Sequence, residues 1–123
     1  MKRNLSITAL LGIIAIVLGA FGAHALKEKL SIDALQSFET AVRYQMYHVI
    51  VLLFVNTYSG FSTQTKNLIS SLFFVAILFF SGSIYAIRTG GIDPKLIWFI
   101  TPLGGLLFII GWFLMFLNFI KKP

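Results

Sequence analysis

The sequence predicts an all-α integral membrane protein: a four-helix bundle with both termini on the same side of the bilayer. Of its 123 residues, 58% are hydrophobic and only 11% are charged, with a mean hydropathy of +0.90. Soluble domains carry about 25% charged residues, so a chain with this few charged residues could not cover a water-exposed surface. The apolar residues fall into four runs long enough to span a membrane, within a single membrane domain covering residues 1–123. The basic residues flank these runs and form no stripe, so the net charge of +6 does not predict a nucleic-acid partner.

The first span is predicted over residues 5–26, which as a helix would be about 33 Å long against a bilayer core of about 30 Å. Small residues recur on one face and predict a helix-packing seam of Gly12, Ala15, Gly19 and Ala23. A substrate groove along these residues is the functional alternative. The basic start and an Ala-His-Ala motif also fit a secretory signal peptide. The apolar run exceeds the usual signal length and the rest of the chain is membranous, so we expect a retained span.

The second span is predicted over residues 42–58, preceded by an amphipathic start over 32–46 with Ser31 as the N-cap. A membrane helix needs at least about 17 residues, and the purely apolar stretch after His48 is too short. Either the helix tilts or its polar residues lie at membrane depth.

The third span is predicted over residues 67–87, between Lys66 and Arg88, and the fourth over 96–120. Asp93 can cap the fourth helix, and Pro94 suits its first turn. We expect one helix over residues 94–119.

Pro102 should kink that helix, because it cannot donate a hydrogen bond to the Trp98 carbonyl. Together with Gly104 and Gly105 it forms a kink used for packing or a hinge, and packing is the favoured interpretation.

The orientation rests on Lys and Arg counts, which tie at five on each side. The residues on the side of the termini are Lys2, Arg3, Lys66, Lys121 and Lys122. Because the first helix usually dominates, we expect a multi-pass protein of the bacterial inner membrane with both termini in the cytoplasm.

Five polar residues form the candidate site, a cluster beneath the opposite interface: His24, Glu39, Arg43, Tyr47 and His48. Glu39 and Arg43 are four residues apart, which favours an ion pair. The cluster could be an interfacial anchor, which we favour, a binding or proton-handling site, or a metal site. The absence of cysteine excludes thiolate metal centres, and no two histidines are four residues apart, so we expect neither metal nor cofactor.

Five segments occur in the order "GAFGAHALK", "FETAVRYQMYH", "FSGSIY", "TPLGG" and "GW", from Gly19 to Trp112. In this order the sequence resembles the YwdK/YgdD-like family of small bacterial inner-membrane proteins of unknown function, which has eukaryotic transmembrane relatives. The resemblance implies a compact four-helix membrane protein with these segments as its signature, and it implies no reaction.

We therefore expect a non-enzymatic structural, assembly or interaction protein whose partners are the lipid bilayer and either further copies of itself or another membrane protein. A small-molecule or lipid transport or binding component using the polar cluster is the alternative. An enzyme is disfavoured because the plausible acid–base pair, His48 and Glu39, would lie roughly 13 Å apart along the helix axis.

Overall fold

Four long α-helices and one short helix make up most of the chain in the computed structural model, which describes residues 2–121. They are α1 (Lys2–His24), α2 (Ile32–Thr57), α3 (Thr63–Thr89), α4 (Pro94–Ile97) and α5 (Ile100–Ile120), and there is no strand in this range. Lys122, counted above among the basic residues, lies outside the described residues.

Side-chain caps set three of the helix starts. Ser31 Oγ accepts a hydrogen bond from the Ala34 amide at the start of α2, and Ser62 caps α3 in the same way. Asp93 caps α4. Residues 32–57 form one continuous helix, which joins the predicted amphipathic start to the apolar span.

Successive long helices run antiparallel and pack as neighbours, α1 on α2, α2 on α3, and α3 on α5. Contacts between α1 and α2 pair early residues with late ones, since Gly12 lies against Val49 and Gly19 against Val42. The bundle therefore brings the first and last described residues to the same end.

Among the described residues, three stretches are long and apolar enough to cross a membrane: α1, α3, and α4 and α5 taken together as Pro94–Ile120. The more polar α2 contacts both α1 and α3 and has the largest set of buried residues. Several polar side chains of α2 are thus buried inside the bundle.

Glycines bring α3 and α5 into close contact. A Cβ atom at Gly104 would lie 2.4 Å from the backbone nitrogen of Phe80, and one at Gly111 would lie 2.4 Å from the ring of Phe73. Gly104, Phe108, Gly111 and Met115 are the buried residues of α5, at alternating spacings of four and three. This stripe is the α5 side of the main core.

The single helix expected over residues 94–119 is interrupted, which corrects its predicted course, whereas the kink or hinge at Pro102, Gly104 and Gly105 stays a prediction. The break lies at Trp98 and Phe99, and α5 begins at Ile100, so Pro102 sits in its first turn. A proline costs little there, because first-turn amides have no intrahelical partner. The carbonyl that Pro102 cannot bond belongs to Trp98, and the helix is interrupted at that residue.

The structure also gives the position of each residue in the predicted seam of α1. Gly12 and Gly19 face α2, and Ala15 is 1% exposed. Ala23 is exposed, and Gly22 takes the buried position instead, where a Cβ would lie 2.8 Å from the Phe38 ring. One residue turns a helix by about 100°, which accounts for the difference.

Candidate functional site

Three asparagines tie the helices together at the end of the bundle that holds the termini. Asn4 Nδ2 donates to Asn56 Oδ1 and to Asn67 Oδ1, both at 3.0 Å. Asn56 Nδ2 in turn donates to Ser70 Oγ at 2.8 Å and to the Leu52 carbonyl at 2.9 Å. This network joins α1, α2 and α3 through side chains that the sequence places inside or beside apolar runs.

A second set of hydrogen bonds lies near the middle of α2. Gln45, 1% exposed, donates from Nε2 to the Leu11 carbonyl at 2.8 Å and accepts from the Tyr85 hydroxyl at 2.7 Å. Ser81 Oγ donates to the Ala41 carbonyl at 2.7 Å. Gln45 thus bridges α1 and α3 from the helix between them.

His48 lies on the inner side of α2 among aromatic rings. Its Nδ1 is 2.7 Å from the Tyr44 carbonyl, and Trp112 Nε1 donates to its Nε2 at 3.0 Å. A carbonyl only accepts and an indole N–H only donates, so these partners assign the neutral Nδ1–H tautomer. The imidazole also stacks on Phe108, with ring centroids 3.9 Å apart.

An aromatic groove opens beside His48, with a volume of about 570 Å³. Tyr44 and Phe80 line one side, and Pro102 and Trp112 the other. Since both imidazole nitrogens are already bonded within the protein, His48 offers this groove an apolar ring face rather than a free acid, base or metal ligand.

The other polar residues of α2 lie on its outer face. Glu39, Arg43 and Tyr47 are all exposed and follow one another at spacings of four, so they share one side of the helix. Arg43 Nη2 donates to Thr40 Oγ1 at 3.2 Å. The hydrogen bond recorded for Arg43 therefore goes to a neutral hydroxyl on its own helix rather than to Glu39.

Two adjoining cavities run along the outer junction of α1 and α2, with volumes of about 470 and 260 Å³. Gly19, Val42 and Arg43 line both. Glu39 lines the smaller cavity and Tyr47 the larger. We refer to the two together as the α1–α2 groove.

The structure therefore divides the predicted polar cluster. Glu39, Arg43 and Tyr47 lie together in the α1–α2 groove, whereas His48 faces the opposite way, toward α5. His24 ends α1 as an exposed residue and lines neither cavity. The separation follows from helix geometry, since His48 is turned about 100° from Tyr47.

Sequence reasoning missed the residues that bond in the interior, namely the asparagine network, the Gln45–Tyr85 pair and the Trp112 partner of His48. A usable signal existed, because Asn56 and Ser70 interrupt apolar runs, where a polar side chain usually finds an interhelical partner. Within residues 2–121 there is no group of three His, Asp or Glu residues that could hold a metal ion.

Comparison with known proteins decides the family. The family model described as "Protein of unknown function (DUF423)" matches residues 18–105. The chain belongs to the DUF423 family. This family assignment covers most of the chain, including α2 with its inner and outer polar residues.

Similar proteins include other bacterial membrane proteins. A UPF0382 membrane protein of Staphylococcus saprophyticus is 41% identical over 121 residues, covering 98% of this chain and 99% of its own. One from Haemophilus influenzae is 40% identical over 111 residues, covering 90% and 88%. No solved structure matches the chain. This DUF423 member is thus a small α-helical membrane protein from a family of unknown function.

Proposed function

We propose that this protein is a non-enzymatic component of the bacterial inner membrane that acts in structure, assembly or interaction with other membrane proteins. The observation that carries the proposal is the hydrogen bonding of the buried polar side chains. Among the described residues, every buried side-chain nitrogen and oxygen has a hydrogen-bond partner. Buried polar groups that are fully paired hold helices in register and leave no reactive atom unsatisfied.

The arrangement of the plausible acid–base pair supports the same proposal. His48 faces inward with both ring nitrogens bonded, and Glu39 faces outward into the α1–α2 groove. General acid–base catalysis needs both groups within reach of one substrate. Two groups on opposite sides of α2 do not meet that requirement.

The proposal is tested by purifying the full chain, tagged after Pro123, directly from membranes in native nanodiscs. We expect one protein partner, or a second copy of the chain, to remain at fixed stoichiometry. A variant with Gly104 replaced by leucine shows whether the complex depends on the folded bundle, because it should disrupt α3–α5 packing. Recovery of the monomer alone, even after cross-linking in the intact cell, would count against an interaction role.

We also propose that both termini lie in the cytoplasm and that the protein is a YwdK/YgdD-like member of its family. Lys2 and Arg3 beside the first helix support the orientation. A periplasm-dependent alkaline phosphatase fused after Pro123 should be inactive and a cytoplasmic fluorescent protein active. The reverse pattern would overturn the orientation.

A further inference from the structure

The outer face of α2 carries two charges that the described chain leaves without a charged partner. Within residues 2–121, the partner of the Arg43 guanidinium is the Thr40 hydroxyl, which uses one of its five N–H donors. The Glu39 carboxylate has no hydrogen-bond partner in this range. Charged groups at membrane depth usually pair or face the protein interior. A ligand from outside the chain would give both Arg43 and Glu39 a charged partner.

Contacts with α1 give the depth of each charge. Gly22, near the end of α1, lies against Phe38, and Gly19 lies against Val42. Glu39 is therefore close to the level at which α1 ends. Arg43 lies one turn, or roughly 6 Å, nearer the middle of the bilayer.

The deeper part of the α1–α2 groove is apolar. Beyond Arg43 it is lined by Ala15, Ile16 and Met46, and the ring of Tyr47 borders it on the α2 side. Small residues on α1 leave the space, and a lipid tail is the apolar chain available at that depth. From the bilayer centre outward, the groove thus presents a hydrocarbon slot, then a cation, then an anion.

We propose that the α1–α2 groove binds a phospholipid whose headgroup carries both a phosphate and a primary ammonium, the phosphatidylethanolamine class. The phosphate pairs with Arg43, the ammonium donates to Glu39, and an acyl chain lies along Ile16 and Met46. The order of charges in the lipid matches the order in the groove, because the ammonium lies outside the phosphate. This site is independent of the proposed function and needs no protein partner.

The two charges predict selectivity among lipids. An anionic phosphatidylglycerol satisfies Arg43 but offers Glu39 only neutral hydroxyl donors and no positive charge beside the phosphate. A phosphatidylcholine keeps the positive charge but has no N–H to donate to Glu39. A charge-assisted hydrogen bond is among the stronger polar contacts, so we expect phosphatidylethanolamine to bind about tenfold more tightly than either.

The test is native mass spectrometry of the purified full chain titrated with these three lipids, matched in acyl chains. We expect Glu39→Gln to reduce the preference for phosphatidylethanolamine over phosphatidylglycerol to about twofold or less, and Arg43→Gln to weaken both about tenfold. Lys95→Gln is the control, because it removes a charge at the same end of the bundle outside the groove. It should leave all three affinities unchanged.

A separate variant tests the hydrocarbon slot. Ile16→Trp fills the deeper part of the groove without altering charge and should weaken the three lipids equally, which keeps the test decisive if a charge variant fails to fold. Equal affinity of the wild type for the three lipids would overturn the proposal, as would an unchanged preference in Glu39→Gln. Loss of a dimer rather than of lipid in Arg43→Gln would also overturn it, since a second copy would then cover the face.

Discussion

Replacing Gly104 by alanine should damage the packing of α3 on α5, whereas the same change at the next residue should not. The added Cβ would lie 2.4 Å from the Phe80 nitrogen and 2.9 Å from the Phe79 carbonyl carbon. Both are backbone atoms, which cannot rotate away as a side chain does. At Gly105 the new Cβ would meet only Phe80 Cδ1, at 3.9 Å, an ordinary contact.

The size of the effect follows from these distances. Restoring a normal contact at Gly104 requires the helices to separate by about 1 Å, and a gap of that size forfeits a quarter to a half of each dispersion contact. Overpacking of this kind costs about 1–3 kcal/mol. Alanine in place of glycine at 105 gains up to about 1 kcal/mol of helix propensity. We therefore expect the two variants to differ by about 2–4 kcal/mol.

The assay is reversible unfolding in mixed micelles with increasing sodium dodecyl sulfate, followed by tryptophan fluorescence. The wild-type free energy of unfolding should fall between those of Gly104→Ala and Gly105→Ala. If the two variants are equally stable, α3 and α5 do not approach at Gly104 and the packing argument fails.

Three further substitutions test the interior hydrogen bonds by the same unfolding measurement. Gln45→Leu should cost about 1–2 kcal/mol and Tyr85→Phe less, since the latter removes only one of the two Gln45 interhelical bonds; equal losses would contradict the bridging role. Trp112→Phe should lower the free energy of unfolding by about 1 kcal/mol, because it removes the donor to His48. In the Trp112→Phe background, His48→Phe should lower it further only by the cost of the changed packing, since the hydrogen bond is already lost. Asn4→Leu should cost about 1–2 kcal/mol because it releases both asparagine partners, and a neutral result would place that network outside the folded core.

Three of the long helical segments could be predicted from apolar length, which limits where a chain can cross a bilayer, whereas α2 also needed its N-cap and its amphipathic start. The positions of the helix ends were harder to predict from the sequence, because they depend on caps such as Ser31 and Ser62 rather than on hydropathy. The interruption at Trp98 illustrates the limit. The missing hydrogen bond of Pro102 was predictable, but whether the helix would bend or break there depends on its packing against α3.

The candidate site was harder to predict because it depends on how each helix is rotated about its axis. The spacing of Glu39, Arg43 and Tyr47 shows that they share a face, and the sequence does not show which helix that face meets. His48 follows Tyr47 directly, yet it faces Trp112 on the other side. Only the packed neighbours distinguish an outward groove from an inward hydrogen bond.

The central claim is that α2 turns one set of polar residues outward and another inward, and the cysteine-free sequence allows a direct measurement. Single cysteines introduced at each position from 38 to 50 can carry a nitroxide spin label in lipid vesicles. Its accessibility to oxygen should peak at positions 39, 43 and 47, and reach minima at 45 and 48. Maxima at 45 and 48, or a flat profile along the helix, would contradict the account.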